Sequence, residues 1–105
     1  THDNDTSIGW WHNADEAQRQ HLRDYLATPA REVNRDLVRC VMASVADTAI
    51  VPLQDLLGLD SAHRLNLPGT SENNWTWRML WADLAGDLAQ QMLQQCHLYG
   101  RERRA

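Results

Sequence analysis

The sequence predicts an α/β arrangement that is mostly helical, with one or two short strands. Three observations carry this expectation. Apolar residues recur at helical spacing in three long stretches and in a shorter one near the start. Residues 49–53, Ala-Ile-Val-Pro-Leu, form an unbroken apolar run without alternation. That pattern suits a strand covered on both faces, as in a parallel sheet flanked by helices. Residues 60–81 have little periodicity but carry Pro68-Gly69, Asn73-Asn74 and three tryptophans. A loop this long and this rich in Trp and Asn is more often functional than idle.

Taken in order, residues 7–11 read as a short helix capped by Thr6 or Ser7. Residues 14–27 read as the second helix. Asn13 with Glu16 three residues on resembles a capping box, and Ala14, Ala17, His21, Leu22, Tyr25 and Leu26 share a face. Pro29 lies just past its end. Residues 35–47 form the third, with Asn34 as N-cap and Leu37, Val38, Val41, Met42, Val45 and Ala46 as its apolar stripe. Residues 83–100 form the last. Leu84, Leu88, Met92, Leu93, Cys96 and Tyr99 make its buried stripe, and Gly100 suits the C′ position. In the strand at 49–53, Pro52 removes a ladder donor and marks an end or a bulge. Three helices offering apolar faces to a single strand do not close an architecture, because a parallel strand needs parallel neighbours. The opening Thr1-His2-Asp3 has no initiator Met. Both points lead us to expect an incomplete domain cut from a longer chain.

With 105 residues, the chain has room for one domain and not for two. All ten basic residues are Arg and the net charge is −4. Such a chain repels a phosphate backbone, so nucleic acid is not an expected partner. Arg101, Arg103 and Arg104 form the only basic cluster and read as complementing the dipole of their own helix. No run approaches the ~20 apolar residues that span a bilayer, so no membrane partner is expected. Cys40 and Cys96 sit in helical patterns without CxxC spacing, as small buried hydrophobes of a reducing, cytoplasmic compartment.

The opening run Thr1-His2-Asp3-Asn4-Asp5-Thr6 packs two acids and an imidazole into six residues. Helix capping accounts for Asp5 more readily than for Asp3, since one cap does not need two acids. A metal site built on His2 and Asp3 fails on ligand count, because His12, His21 and His63 lack ligand spacing with them. The tryptophans at 10, 11, 75, 77 and 81 read mostly as packing, since neighbouring indoles cannot face one way. Arg78 is expected to pair with a carboxylate such as Asp55 or Asp5.

THDNDT followed by Gly9-Trp10-Trp11, then residues 52–59 (PLQDLLGL), Arg64-Leu65-Asn66, Pro68-Gly69-Thr70 and residues 74–78 (NWTWR) closely resembles the amylomaltase family. These are the 4-α-glucanotransferases, or disproportionating enzymes, of the α-amylase superfamily. The five motifs keep their order and spacing over nearly the whole chain. The resemblance implies a (β/α)₈ barrel, of which residues 1–105 would be the C-terminal part of the catalytic domain, from the end of strand seven through helix eight.

It also implies a retaining transfer of an α-1,4-glucan segment to the 4-OH of an acceptor sugar, through a covalent glucosyl-enzyme and without a cofactor. In retaining enzymes two carboxyl groups, about 5–5.5 Å apart, flank the scissile bond. By resemblance, both the nucleophilic Asp and the acid/base Glu precede this segment, and no acid here matches them. Asp3 matches a third carboxylate, which binds sugar hydroxyls and stabilises the oxocarbenium-like transition state. His2 matches the adjacent sugar-binding imidazole, and Asn66 a residue on the acceptor side. Gln54 follows strand eight; sugar contact and loop anchoring are equally open for it, as anchoring is for Asp55. The implied partners are an α-1,4-glucan or maltooligosaccharide and the missing N-terminal part of the barrel. The segment alone is expected to be inactive. The contrasting possibility is a non-catalytic helical module that binds glucan or a protein through its Trp-rich loop.

Overall fold

The computed structural model describes residues 3–84 and 86–103. The first helix, α1 (Ser7–Asn13), starts at Thr6, whose hydroxyl accepts from Gly9 N at 3.0 Å. This satisfies one of the amide donors that a helix start leaves unpaired.

Helix α2 (Glu16–Leu26) opens on a capping box shifted by two residues from the expected pair. Asp15 Oδ1 accepts from Gln18 N at 2.8 Å, and Gln18 Oε1 accepts from Asp15 N at 3.1 Å. Asn13 instead donates back to Gly9 O, at 3.1 Å. Arg19 crosses between the two helices, donating to Trp11 O at 2.9 Å and His12 O at 3.0 Å. The guanidiniums of Arg19 and Arg23 lie 5.4 and 5.3 Å from the Trp11 ring centre, two cation–π contacts that hold the indole as a packing element.

Helix α3 (Val33–Met42) begins two residues before the expected start and has no side-chain cap. Asn34, expected as that cap, lies inside the first turn, is buried, and donates to Asp55 O at 2.8 Å. The helix also stops at Met42, short of residue 47. Arg101 explains the early stop: its guanidinium donates to Met42 O (2.8 Å), Ser44 O (3.2 Å) and Ala46 O (2.9 Å). Arg101 therefore serves the end of α3 and not the dipole of its own helix.

The expected strand at 49–53 is absent. No strand occurs among the described residues. Pro52 is extended (φ −62°, ψ 142°) and serves as N-cap of α4 (Leu53–Leu57), while Ile50 is 84% exposed. A strand needs a neighbour to complete its ladder, and none of the described segments provides one. A 3-10 turn at Ser61–His63 and another at Trp81–Asp83 punctuate the long loop.

Helix α5 (Leu88–Leu98) is shorter than its apolar pattern suggests. Asp83 Oδ2 accepts from Leu80 N at 2.8 Å, closing a local turn, and Gly86 delays helix onset further. Its stripe is only half covered: Leu93 is 57% exposed, and α5 buries no residue. Gly100 (φ 67°) ends the helix, with Gly100 N donating to His97 O (3.3 Å) and Arg101 N to Cys96 O (2.8 Å). These are the paired bonds of a Schellman motif.

Helix α3 is the hub, packed against α1, α4 and α5. The core gathers Leu22, Ala30 and Val33, with Ile8, Trp11, Leu26 and Leu37 leaning on it. It is shallow. The radius of gyration is 14.9 Å, against about 13 Å for a compact domain of this length. Cys40 and Cys96 are half-buried free thiols. No helix among the described residues is long and apolar enough to cross a membrane.

Candidate functional site

The site is assembled where the entrance to α1 meets the turn after α4. Asp5 is the anchor. Its Oδ1 accepts from Thr6 N at 2.8 Å, and its Oδ2 accepts from Ser61 Oγ at 2.7 Å. Arg64 stands 3.8 Å from the same oxygen, with both side chains more than four-fifths buried. Gly9 makes this approach possible, since a Cβ there would stand 2.5 Å from Asp5 Oδ1. From the other side, Asp55 Oδ1 accepts from Ser7 N at 2.7 Å, placing a negative charge at the start of α1, where the helix dipole favours it. Both carboxylates expected to take Arg78 are thus engaged elsewhere, Asp5 by Arg64 and Asp55 by a backbone amide.

This junction brings two residues named from the sequence into contact. Asn66 Nδ2 donates to Asp3 Oδ1 at 2.6 Å, across 63 positions of the chain. Asp3 is exposed and Asn66 half-buried, so the pair lies at the surface. A carboxylate accepts and a primary amide both donates and accepts, which is the combination that vicinal hydroxyls need. His2 lies outside the described residues, as does Arg104.

Gln54 lies beneath this surface. It is buried, and its Nε2 donates to His63 O at 3.2 Å. Trp77 Nε1 donates to His63 Nδ1 at 2.9 Å, which makes that nitrogen an acceptor and puts any ring proton on Nε2. The indole meets the imidazole edge-on, at 85° and 6.2 Å. Trp77 therefore packs, whereas Trp75 and Trp81 are 60% and 83% exposed.

The loop after Asn66 is held by its own side chains. Asn74 Oδ1 accepts from Leu67 N at 2.9 Å, Asn74 Nδ2 donates to Thr70 O at 3.2 Å, and Thr70 Oγ1 donates to Leu67 O at 2.6 Å. Trp75 N returns to Leu65 O, with Asn73 and Trp75 both at positive φ (59° and 61°). Sequence reasoning assigned no role to Ser61, Arg64 or Asn74. Arg64 had a visible signal, two positions before Asn66 in one of the quoted motifs. Asn74 likewise opens the quoted motif 74–78, whereas Ser61 is recognisable only through its partner Asp5. Among the described residues, no three His, Cys, Asp or Glu side chains converge as a metal site would require.

The described residues thus set a carboxylate–amide pair over the Asp5–Arg64 pair and the buried Gln54. A family model described as 4-alpha-glucanotransferase matches residues 1–83. The 4-alpha-glucanotransferase of Synechocystis sp. is 43% identical over 102 residues, covering 96% of this chain and 20% of that protein. The chloroplastic/amyloplastic 4-alpha-glucanotransferase of rice (Oryza sativa subsp. japonica) is 48% identical over 80 residues, covering 75% and 14%. The structure of amylomaltase from Streptococcus agalactiae in complex with acarbose superposes with a TM-score of 0.91 at 31% identity, covering 98% of this chain and 21% of that one. This chain belongs to the 4-alpha-glucanotransferase family. It spans about a fifth or less of the length of these relatives.

Proposed function

We propose that this chain supplies one wall of the substrate cleft of a 4-α-glucanotransferase, as the segment from the end of strand seven through helix eight of a (β/α)₈ barrel. Barrel active sites gather at the C-terminal ends of strands, where residues distant in sequence meet. The observation that carries this reading is the 2.6 Å contact between Asp3 and Asn66. These are the two described positions that match the family's donor-side carboxylate and acceptor-side amide.

In this role Asp3, with His2 beside it, binds hydroxyls of the glucosyl ring as positive charge builds at its anomeric carbon. Such bonds strengthen in the transition state and so raise the rate rather than only the affinity. The anomeric carbon passes from the glucan leaving oxygen to a carboxylate nucleophile and then to the 4-OH of an acceptor sugar, with net retention. Nucleophile and acid/base come from outside this chain, which is inactive by itself. Asn66 holds the acceptor, and the loop 60–81 keeps water from competing with it. Gln54 serves the same cleft as an anchor of the His63 turn, the role its buried amide supports. The exposed Ile50 and Val45 are covered by the remainder of the barrel. The two unpaired cysteines favour a reducing, cytoplasmic setting.

The test uses a full-length enzyme bearing this segment, such as the Synechocystis protein with its homologous stretch replaced by residues 1–105. Maltotriose disproportionation is expected, and Asp3→Asn is expected to lower kcat by about 100-fold or more. Full activity of Asp3→Asn removes the assignment. Glucose release from maltotriose by the isolated chain removes the claim that it is inactive alone.

A further inference from the structure

The geometry points to Arg64 as the positioning residue that holds the Asp3–Asn66 pair in register, acting on glucan transfer through that pair and without touching substrate. The inference rests on the function proposed above and adds a residue to it.

The guanidinium spends its donors on the main chain of the two residues whose side chains meet. Nη2 donates to Asp3 O at 2.9 Å, and Nε donates to Asn66 O at 3.2 Å. Nη1 faces Asp5 Oδ2 at 3.8 Å, and that carboxylate is itself pinned by Ser61 Oγ and Thr6 N. One rigid plane therefore measures the separation of two backbone carbonyls, while Asp5 fixes the plane. Asp3 and Asn66 have no sequence-local reason to keep a 2.6 Å contact, because 63 residues separate them. Asp3 lies at the entrance to the fold, ahead of α1, with no helix or strand to hold it. Arg64 provides the crosslink that a secondary-structure element would otherwise supply.

A lysine could not replace it. An ammonium is a single point of charge on a flexible stem and cannot bridge two carbonyls along fixed, divergent directions. Substrate contact is not the role of this side chain, since it is only 19% exposed and each of its three nitrogens already faces a protein oxygen. Small errors in the placement of reacting or orienting groups are costly, on the order of 100-fold in rate for ~1 Å.

The experiment uses the full-length enzyme bearing this segment, with Arg64→Met and Arg64→Lys. Both are expected to lower kcat for maltotriose disproportionation by about 10- to 100-fold, while KM for the donor moves less than about threefold. Arg64→Lys keeps the charge beside Asp5 and guards against a folding failure of Arg64→Met. The decisive readout is a mutant cycle against the pair. In an Asp3→Asn/Asn66→Ala background, Arg64→Lys is expected to cost less than about threefold more, because its effect passes through both residues. A kcat unchanged in Arg64→Lys, or a loss in that background as large as in the parent enzyme, overturns the positioning role. If Asp3→Asn is fully active, the underlying function fails instead. If Asp3→Asn is crippled while Arg64→Lys is not, only the positioning role fails.

Discussion

Asn34 donates its side-chain amide to the carbonyl of Asp55 at 2.8 Å, while the Asp55 carboxylate takes Ser7 N at 2.7 Å. A single relay thus ties α3 to α4 and α4 to the entrance of α1. Gly58, at φ 71°, lies close against Asn34, where a Cβ would stand 3.4 Å from its Nδ2.

Breaking this relay is expected to cost stability. Asn34→Ala leaves the Asp55 carbonyl short of a buried donor, a loss of about 1–3 kcal/mol. Asn34→Asp is expected to be worse, because it sets a carboxylate against a carbonyl oxygen. Urea unfolding of the full-length enzyme checks both; an Asp variant as stable as the wild type contradicts the relay.

Arg101 makes a separate prediction. Its guanidinium collects the carbonyl of Met42, the last residue of α3, and those of Ser44 and Ala46 just beyond it. Arg101→Met is expected to cost about 1 kcal/mol and to speed amide exchange at the end of α3 and in residues 43–47. Exchange that accelerates in α5 alone indicates that the arginine serves its own helix.

Gly9 is predicted to be intolerant of a side chain for a local reason. A methyl group there collides with Asp5 and so disturbs the carboxylate that steadies Arg64. Gly9→Ala is expected to lose about 1–3 kcal/mol and to lower transfer activity as well. Activity retained alongside lost stability separates Asp5 from the site.

The isolated chain is the fourth case. Val45, Ile50, Trp81 and Leu98 are largely exposed, and the core is thin. Large apolar side chains left exposed in this way favour association. Sedimentation is expected to find concentration-dependent oligomers, and heating a broad transition without a sharp midpoint. A monomer with one cooperative transition favours the independent helical module.

Features set by near neighbours could be read from the residues alone. Thr6, one of the two caps open for α1, and the αL glycine at 100 depend on atoms within a few residues, and so do Leu22, Val38 and Met42 of the helical stripes; Tyr25, Val41 and Val45 of the same stripes stand exposed. The family resemblance likewise came from ordered motifs, which named Asp3 and Asn66. Even local signals can tie, however. Asn13/Glu16 and Asp15/Gln18 both satisfy a capping-box pattern, and only the path of the chain selects the second.

Tertiary structure decided whatever depends on a distant partner. Residues 49–53 have the composition of a buried strand but no ladder to join. Asn34 has the chemistry of a cap and is turned inward by a carbonyl 21 residues away. Arg101 looks like a terminal charge and serves a helix that ends 59 residues earlier. Spacing along the chain encodes helical faces because the helix repeat is fixed. It holds no record of which carbonyl a guanidinium will find, since that depends on how the helices pack.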